Sequence, residues 1–238
     1  MIEKIKPYLI EISIFVAIVL LLSVGTYSRN RLWNDEISLC IDCVKKSPNK
    51  ARPYVQLAAA YFNAGAYDKS LEINQRAIQI DPKFAEAYYN LGLTYQKMGD
   101  LNRAIAMEKK SLEVDPTLYV AYCSLGGIYF ERGQYEEAGE AFQKFLKIYP
   151  YFPDVHSLLA IVYAAQKKFD KAVTELEWEI RINPYHTLAH LNLGQIYWYE
   201  FQNRQKAIDH LKTALMLDPY IPNRTEIRKL VRLLEGVP

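Results

Sequence analysis

Six prolines recur along the chain at a nearly constant interval, and this period constrains the fold more than any other feature. They are Pro48, Pro82, Pro116, Pro150, Pro184 and Pro219. The interval is 34 residues four times and 35 residues once. A period of this length over most of a chain is typical of stacked helical repeats, in which each unit needs its neighbours to bury its apolar faces.

The same residue types return at fixed positions within each period. A leucine is followed by a small residue and, four positions later, by a tyrosine, as in Leu91, Gly92 and Tyr95. Residues four apart share one helix face, so this first helix presents an apolar stripe. Turn glycines such as Gly99 end it, and Ala104 marks a closely packed second helix. Proline cannot continue that helix, so each period predicts helix, turn, helix and stop.

This pattern resembles the tetratricopeptide repeat motif, with tyrosine where the family often has tryptophan. The matching residues are Tyr88, Leu91, Gly92, Tyr95, Ala104 and Pro116. The resemblance implies an all-α fold, a right-handed α-solenoid of helix hairpins. Five repeats fit, at residues 51–84, 85–118, 119–152, 153–186 and 187–221, the last with one additional residue in its turn.

Two further segments flank these repeats. Residues 32–50 are predicted to form the second helix of a half-repeat that has no first helix, closed by Pro48. Residues 222–238 contain apolar side chains at helical spacing with a charged opposite face, as in Ile227 and Arg228. Such a segment is typical of the polar-backed helix that caps a solenoid.

Residues 8–28 predict a transmembrane helix, preceded by a short tail at residues 1–7. These 21 residues contain one charged side chain, Glu11. At 1.5 Å per residue the helix is about 31 Å long, enough to cross the hydrocarbon core of a bilayer. A cleaved signal peptide is the alternative, although only Ser23-Val24-Gly25 resembles a cleavage site. Basic residues flank both ends, and the short tail favours a single-pass protein with extracytoplasmic repeats, periplasmic or lumenal.

Charge and motifs argue against catalysis and nucleic-acid binding. The net charge of +2 creates no strong field for nucleic acid. Cys40 and Cys43 lack the second pair of a zinc site, and Val44 stands where a c-type haem motif needs histidine. His186 and His190 lack the glutamate of a zinc protease motif. We therefore expect no enzyme, and no metal, cofactor or small-molecule substrate.

The family resemblance implies a concave groove, lined by the first helix of each repeat, that binds a protein or peptide. The groove residues transferred from the family are Val55, Ala59, Phe62, Asn63, Tyr89, Leu93, Gln96, Lys97, Phe130, Glu131, Ile161, Leu191, Gln195, Trp198 and Tyr199. Alternatively, several of them only pack one repeat on the next. The lysine and asparagine pattern that grips a terminal carboxylate is absent, since only Asn90 matches.

Two positions depart from the repeat pattern. Glu179 stands where the second helix normally carries a small residue. The turn after Tyr197 combines Trp198, Tyr199 and Phe201 with the inserted residue. Each departure is either a local binding feature or a tolerated irregularity.

The leading functional hypothesis is a membrane-anchored, non-enzymatic scaffold whose groove binds a protein or peptide segment. The alternative is an accessory or C-terminal module of a polytopic membrane glycosyltransferase. Residues 29–36, with the repeats that follow, resemble the junction in transmembrane O-mannosyltransferase-like tetratricopeptide proteins. The catalytic acidic loop of such enzymes is absent from the sequence, so catalysis would need another chain.

Overall fold

A computed structural model describes residues 35–236. In this part of the chain all regular secondary structure is α-helical, in twelve helices, which confirms the all-α prediction. The predicted tail at residues 1–7 and the predicted transmembrane helix at residues 8–28 lie outside the described residues. Within residues 35–236, none of the helices combines the length and the apolar character needed to cross a membrane.

Residues 35–99 form one compact unit. Its helices are α1 (Glu36–Lys46), α2 (Ala51–Asn63), α3 (Tyr67–Ile80) and α4 (Ala85–Lys97). The carboxylate of Asp35 starts α1 by accepting the backbone N–H groups of Ile37 and Ser38. Each helix packs on the next, and α2 also contacts α4. A small core of Ala51, Val55, Ala77 and Ala87 lies within this unit.

Residues 100–236 form the second compact unit. Its helices are α5 (Leu101–Val114), α6 (Tyr119–Glu131), α7 (Tyr135–Ile148), α8 (Val155–Ala165), α9 (Phe169–Ile182), α10 (Thr187–Tyr199), α11 (Arg204–Leu217) and α12 (Arg224–Glu235). Each helix packs on the next, so the core runs continuously from α7 to α12. The last helix buries Ile227, Val231 and Leu234 in that core.

A side chain six residues after the turn proline closes four of the inter-repeat turns. Its polar atom reaches the carbonyl oxygen of that proline, which lies in the turn immediately after the capping residue of the preceding helix. The pairs are Tyr54 with Pro48 (3.0 Å), Tyr88 with Pro82 (3.3 Å), His156 with Pro150 (2.8 Å) and His190 with Pro184 (3.2 Å). Tyrosine hydroxyls and imidazole Nε2 atoms therefore perform the same task.

The turn inside each helix hairpin requires a residue with positive φ. Gly65, Gly99 and Gly133 meet this requirement, with φ of 75°, 82° and 70°. Lys167 and Gln202 occupy the same repeat position with φ of 59° and 52°. Because a side chain disfavours this conformation, these two turns are strained where the glycine turns are not.

Candidate functional site

A pocket between α8 and α10 is the candidate binding site. Its volume is about 240 Å³, and it is lined by Ala160, Ile161, Ala164, Leu176, Asn192, Gln195 and Ile196. Ala160 and Ala164 lie four residues apart on α8 and so share one helix face. Their methyl groups fill little space, which leaves room between the two helices.

The pocket combines an apolar wall with two carboxamides. Leu176 of α9 is fully buried, whereas Ile161 is 41% exposed and available to a ligand. Asn192 and Gln195, three residues apart on α10, each offer an amide donor and a carbonyl acceptor. The lining residues carry no charge. The site therefore suits an apolar side chain whose neighbouring main-chain groups bond to the two amides.

Close packing against α11 fixes α10 and its two amides. A Cβ atom on Gly194 would lie 2.6 Å from Cγ of Leu211, so only glycine permits this approach. Nearby, Nδ1 of His190 lies 3.0 Å from Nδ1 of His210 on α11. These contacts hold Asn192 at a defined position beside α8.

The predicted groove residues of the first unit have different environments. Val55 is 9% exposed and belongs to the core, so it packs the unit rather than lining a surface. Phe62 packs edge-on against Tyr67, with ring centroids 5.6 Å apart. Asn63 and Lys97 are exposed. The half-buried members are Ala59, Tyr89, Leu93 and Gln96.

In the second unit, the structure brings Ile161 and Gln195 into the same pocket. Three other predicted groove residues, Phe130, Leu191 and Trp198, are half-buried and pack against the core. The last two, Glu131 and Tyr199, are exposed. The pocket therefore contains two of the predicted residues of this unit, and packing occupies three more.

Sequence reasoning missed five lining residues of the pocket. They are Ala160, Ala164, Leu176, Asn192 and Ile196. Asn192 occupies the same repeat position as Asn90, the residue that matches the carboxylate-binding pattern, and lies three residues before Gln195. That spacing places both amides on one helix face and could have indicated the pair.

A larger pocket of about 480 Å³ lies among α5, α6 and α7. Its charged lining consists of Lys109, Glu113, Glu137, Glu140 and Lys144. The ammonium group of Lys109 lies 5.9 Å from the Tyr129 ring centre, and that of Lys144 lies 6.0 Å from the Tyr122 ring centre. Both distances suit cation–π contacts. With both signs of charge present, the lining selects no particular ligand charge.

Asp154, Glu179 and His186 bring possible metal-ligand atoms within 4.8 Å of one another. Hydrogen bonds already use these atoms. Nδ1 of His186 accepts the N–H of Ala189 (3.0 Å), so Nε2 carries the proton and donates to Asp154 (2.9 Å). The carboxylate of Glu179 accepts the backbone N–H groups of Asp154 (2.9 Å) and Ser157 (3.3 Å). A metal ion bound at Nε2 would force the imidazole proton onto Nδ1, where it would face the N–H of Ala189.

The departure at Glu179 therefore has a structural explanation. Its side chain is completely buried on α9 and accepts two N–H groups at the start of α8. A carboxylate is stabilised there because the first N–H groups of a helix lack intrahelical partners and carry partial positive charge. Glu179 acts as a helix cap supplied by a neighbouring helix.

Burial raises the pKa of two thiols and one carboxyl group. Burial raises the pKa of the Cys123 thiol, and burial together with Glu36 raises the pKa of the Cys40 thiol. Thiols of raised pKa are poor nucleophiles at neutral pH. Burial also raises the pKa of Glu108 to about 8, although Ser124 donates a 2.6 Å hydrogen bond to its carboxyl group. These environments agree with packing roles.

Comparisons with known proteins agree with the repeat pattern. Four family profiles match: a TPR repeat at residues 60–99 and tetratricopeptide repeats at residues 85–118, 129–177 and 157–222. No curated protein gave a significant match.

Solved structures share this fold. YrrB, described as a TPR protein with an unusual peptide-binding site, has a TM-score of 0.67 at 21% identity and covers 80% of this chain and 97% of its own. MamA has a TM-score of 0.64 at 27% identity, covering 68% and 94%. PilF of Pseudomonas aeruginosa has a TM-score of 0.68 at 20% identity, covering 78% and 84%. The chain therefore contains tetratricopeptide repeats.

Proposed function

We propose that the chain is a membrane-anchored, non-enzymatic scaffold that binds a protein or peptide segment on its repeats. The pocket between α8 and α10 receives an apolar side chain of that segment. One observation carries this proposal: Ile161 and the two carboxamides of Asn192 and Gln195 share an uncharged pocket.

The lining defines the chemistry of the partner. Transfer of one large aliphatic or aromatic side chain into the pocket would contribute about 1.5–3 kcal/mol. The amides of Asn192 and Gln195 can bond to the main chain beside that anchor, on both its donors and its acceptors. A charged side chain or a terminal carboxylate finds no counter-charge among the lining residues, and its desolvation opposes binding. The partner is therefore an internal, apolar segment.

The similar structures support this use of the surface. YrrB carries a peptide-binding site according to its description, and its fold matches this chain. Repeat solenoids present extended surfaces of this kind, although a fold by itself does not fix a function.

A displayed peptide library, selected on the full-length chain, tests the pocket. We expect the selected peptides to share an internal leucine, isoleucine, methionine or phenylalanine and no requirement for a free C-terminus. Ile161→Glu should weaken their binding by at least about tenfold, equivalent to about 1.4 kcal/mol. Glu136→Gln, an exposed position on α7, is the matched control. Equal binding to the Ile161→Glu variant, or selection of acidic peptides only, would contradict the pocket as the site.

The anchoring part of the proposal rests on the apolar sequence of residues 8–28 and is tested separately. The proposal makes the chain single-pass and its repeats extracytoplasmic. Protease added to oriented inside-out vesicles should then leave the repeats intact, and digestion there would contradict this orientation. Release of the chain by alkaline carbonate would contradict the anchor.

The family supports a non-enzymatic role because its repeats generally act as binding scaffolds. Within residues 35–236, no feature specifically favours the alternative of a glycosyltransferase accessory module. The proposal therefore keeps a single function, partner binding.

A further inference from the structure

One pair of neighbouring positions changes its chemistry along the second unit: two of its three pairs lie at hydrogen-bond distance, and the third, Tyr122 and Ala141, lines one pocket. The first position lies six residues after the turn proline, on the first helix of a repeat. The second position lies on the second helix of the same repeat. The pairs are Tyr122 with Ala141, His156 with Glu175 and His190 with His210. The same place in the repeat thus holds an uncharged pair, a histidine–carboxylate pair and a histidine–histidine pair.

The hydrogen bonds of His190 fix the tautomers of the last pair at neutral pH. Nε2 of His190 faces the carbonyl oxygen of Pro184, which can only accept, so Nε2 carries the proton. In the neutral ring Nδ1 of His190 is then an acceptor. His210 must donate its own Nδ1–H across the 3.0 Å contact. The rings therefore form an N–H···N bond between α10 and α11.

This geometry admits one additional proton but not two. A first proton can bind Nε2 of His210 and leave the N–H···N bond in place. A second proton must bind Nδ1 of His190, which places two N–H groups face to face. Like charges at this distance repel, and partial burial reduces the solvent screening.

The surrounding charges do not relieve this conflict. Glu177 of α9 and Asp209 of α11 act in favour of the charged His210, whereas Lys206 of α11 acts against it. His186, in the turn before α10, acts against a charged His190. Burial is the largest cause for both rings, and the pKa of each histidine is lowered below its ordinary value.

The equivalent pair one repeat earlier responds in the opposite sense. His156 donates to the Pro150 carbonyl, and its Nδ1 lies 2.7 Å from the carboxylate of Glu175. Burial alone would lower the pKa of His156, but Glu175, the Pro150 carbonyl and Glu179 together raise it. Lys147 of α7 lines a pocket together with His156 and Glu175. A protonated His156 can donate to both acceptors, so acid strengthens this contact.

We propose that the His190–His210 pair is an acid-sensitive latch that holds α10 against α11 at neutral pH and releases α11 and α12 on acidification. The sign follows from linkage: the unfolded histidines take up protons below their ordinary pKa, while the folded pair resists them. Stability from the latch is therefore present above that pKa and lost as the pH falls. Any effect on the pocket rests additionally on the proposed function, because α10 also carries Asn192 and Gln195.

Hydrogen exchange of the full-length chain between about pH 7.5 and about pH 5 tests the latch without any partner. After correction for intrinsic exchange, the opening of α11 should rise by up to about tenfold per pH unit on the acid side of the ordinary histidine pKa. The opening equilibrium of α8 should not increase over the same pH range. If the corrected hydrogen exchange of α11 did not change with pH, the proposal would be overturned.

The chain supplies matched variants for this experiment. His190→Tyr combined with His210→Ala copies the Tyr122 and Ala141 pair and should abolish the acid response of α11. His210→Glu copies the His156 and Glu175 pair and should reverse it.

His156→Tyr combined with Glu175→Ala alters the other pair and should leave the acid response of α11 unchanged. If the copied pairs fail to fold, ring nitrogen resonances of the unmodified chain decide the question. They should show the Nε2–H tautomer for His190 and the Nδ1–H tautomer for His210 at neutral pH. The opposite assignment for His210 would also overturn the latch.

Discussion

The ring of Phe142 lies so close to Gly126 that a methyl group could not fit between them. A Cβ atom on Gly126 would lie 2.7 Å from two carbon atoms of that ring. A Cβ atom on the next residue, Gly127, would meet no heavy atom within 4 Å apart from its chain neighbours and the nearby backbone of α6. Two adjacent glycines of α6 therefore serve different purposes.

Alanine at these two positions should change stability in opposite directions. Gly126→Ala overpacks the contact between α6 and α7 and should destabilise the fold by about 1–3 kcal/mol. Gly127→Ala should stabilise it by up to about 1 kcal/mol, because alanine favours the helix and meets no obstruction. Urea unfolding of both variants measures the difference. The same sign for both would contradict the packing described here.

Glycine should relieve the strained turn at Lys167. The φ of 59° is unfavourable for a side chain, whereas Gly133 has φ of 70° at the same position one repeat earlier. We expect Lys167→Gly to stabilise the protein by about 0.5–1 kcal/mol, after subtraction of the greater entropy of unfolded glycine. Gly133→Lys is the reciprocal control and should destabilise it by about 1 kcal/mol. Thermal unfolding of both variants measures whether the first is stabilised and the second destabilised.

Glu108 should make stability depend on pH. Its pKa is about 8 in the folded chain against 4.5 for an ordinary glutamate. Unfolding therefore releases a proton between these values, and the contribution of Glu108 falls by up to about 1.4 kcal/mol per pH unit as the pH rises. Below pH 4.5 and above about pH 8 the contribution of Glu108 to stability is constant. Glu108→Gln should remove this slope in urea unfolding, whereas Glu140→Gln, at an exposed position, should retain it.

Removal of the charge of Glu179 should loosen the start of α8. Glutamine can accept only one of the two N–H groups that the carboxylate now accepts, and its own amide faces the other. Glu179→Gln should therefore cost about 1–3 kcal/mol.

Hydrogen exchange should report the loss first in α8. Glu177→Gln, on the exposed face of α9, weakens a 3.4 Å contact with Tyr197 and an electrostatic interaction with His210, and it should change stability at neutral pH by less than about 0.5 kcal/mol. Equal losses from both variants would argue against the capping role of Glu179.

The sequence was sufficient for the repeats because they depend on local chemistry. Proline stops, turn glycines and the leucine–tyrosine stripe act within a few residues of each other, and they predict the helix pairs of residues 35–236. The membrane segment at residues 8–28 remains a prediction, since it lies outside these residues.

The pocket could not be located in the same way. Every repeat offers equivalent surface positions, so the period alone does not distinguish Ile161 from Leu93, which lies at the same position two repeats earlier. Ile161 is 41% exposed whereas Leu93 is half-buried, because the two side chains pack differently with other helices. The capping role of Glu179 was equally hard to predict, because it depends on Asp154, whose positive φ of 72° the sequence does not reveal. Both depend on contacts between residues far apart in the chain.

The hydrogen bond that closes the inter-repeat turns has an evolutionary consequence. A phenol serves the Pro48 carbonyl through Tyr54, and an imidazole serves the Pro184 carbonyl through His190. Tyrosine and histidine codons differ by a single base, so one point mutation in a duplicated unit preserves this bond while introducing a group that titrates near neutral pH. A tandem array can thus acquire proton sensitivity one unit at a time while the path of its backbone stays the same.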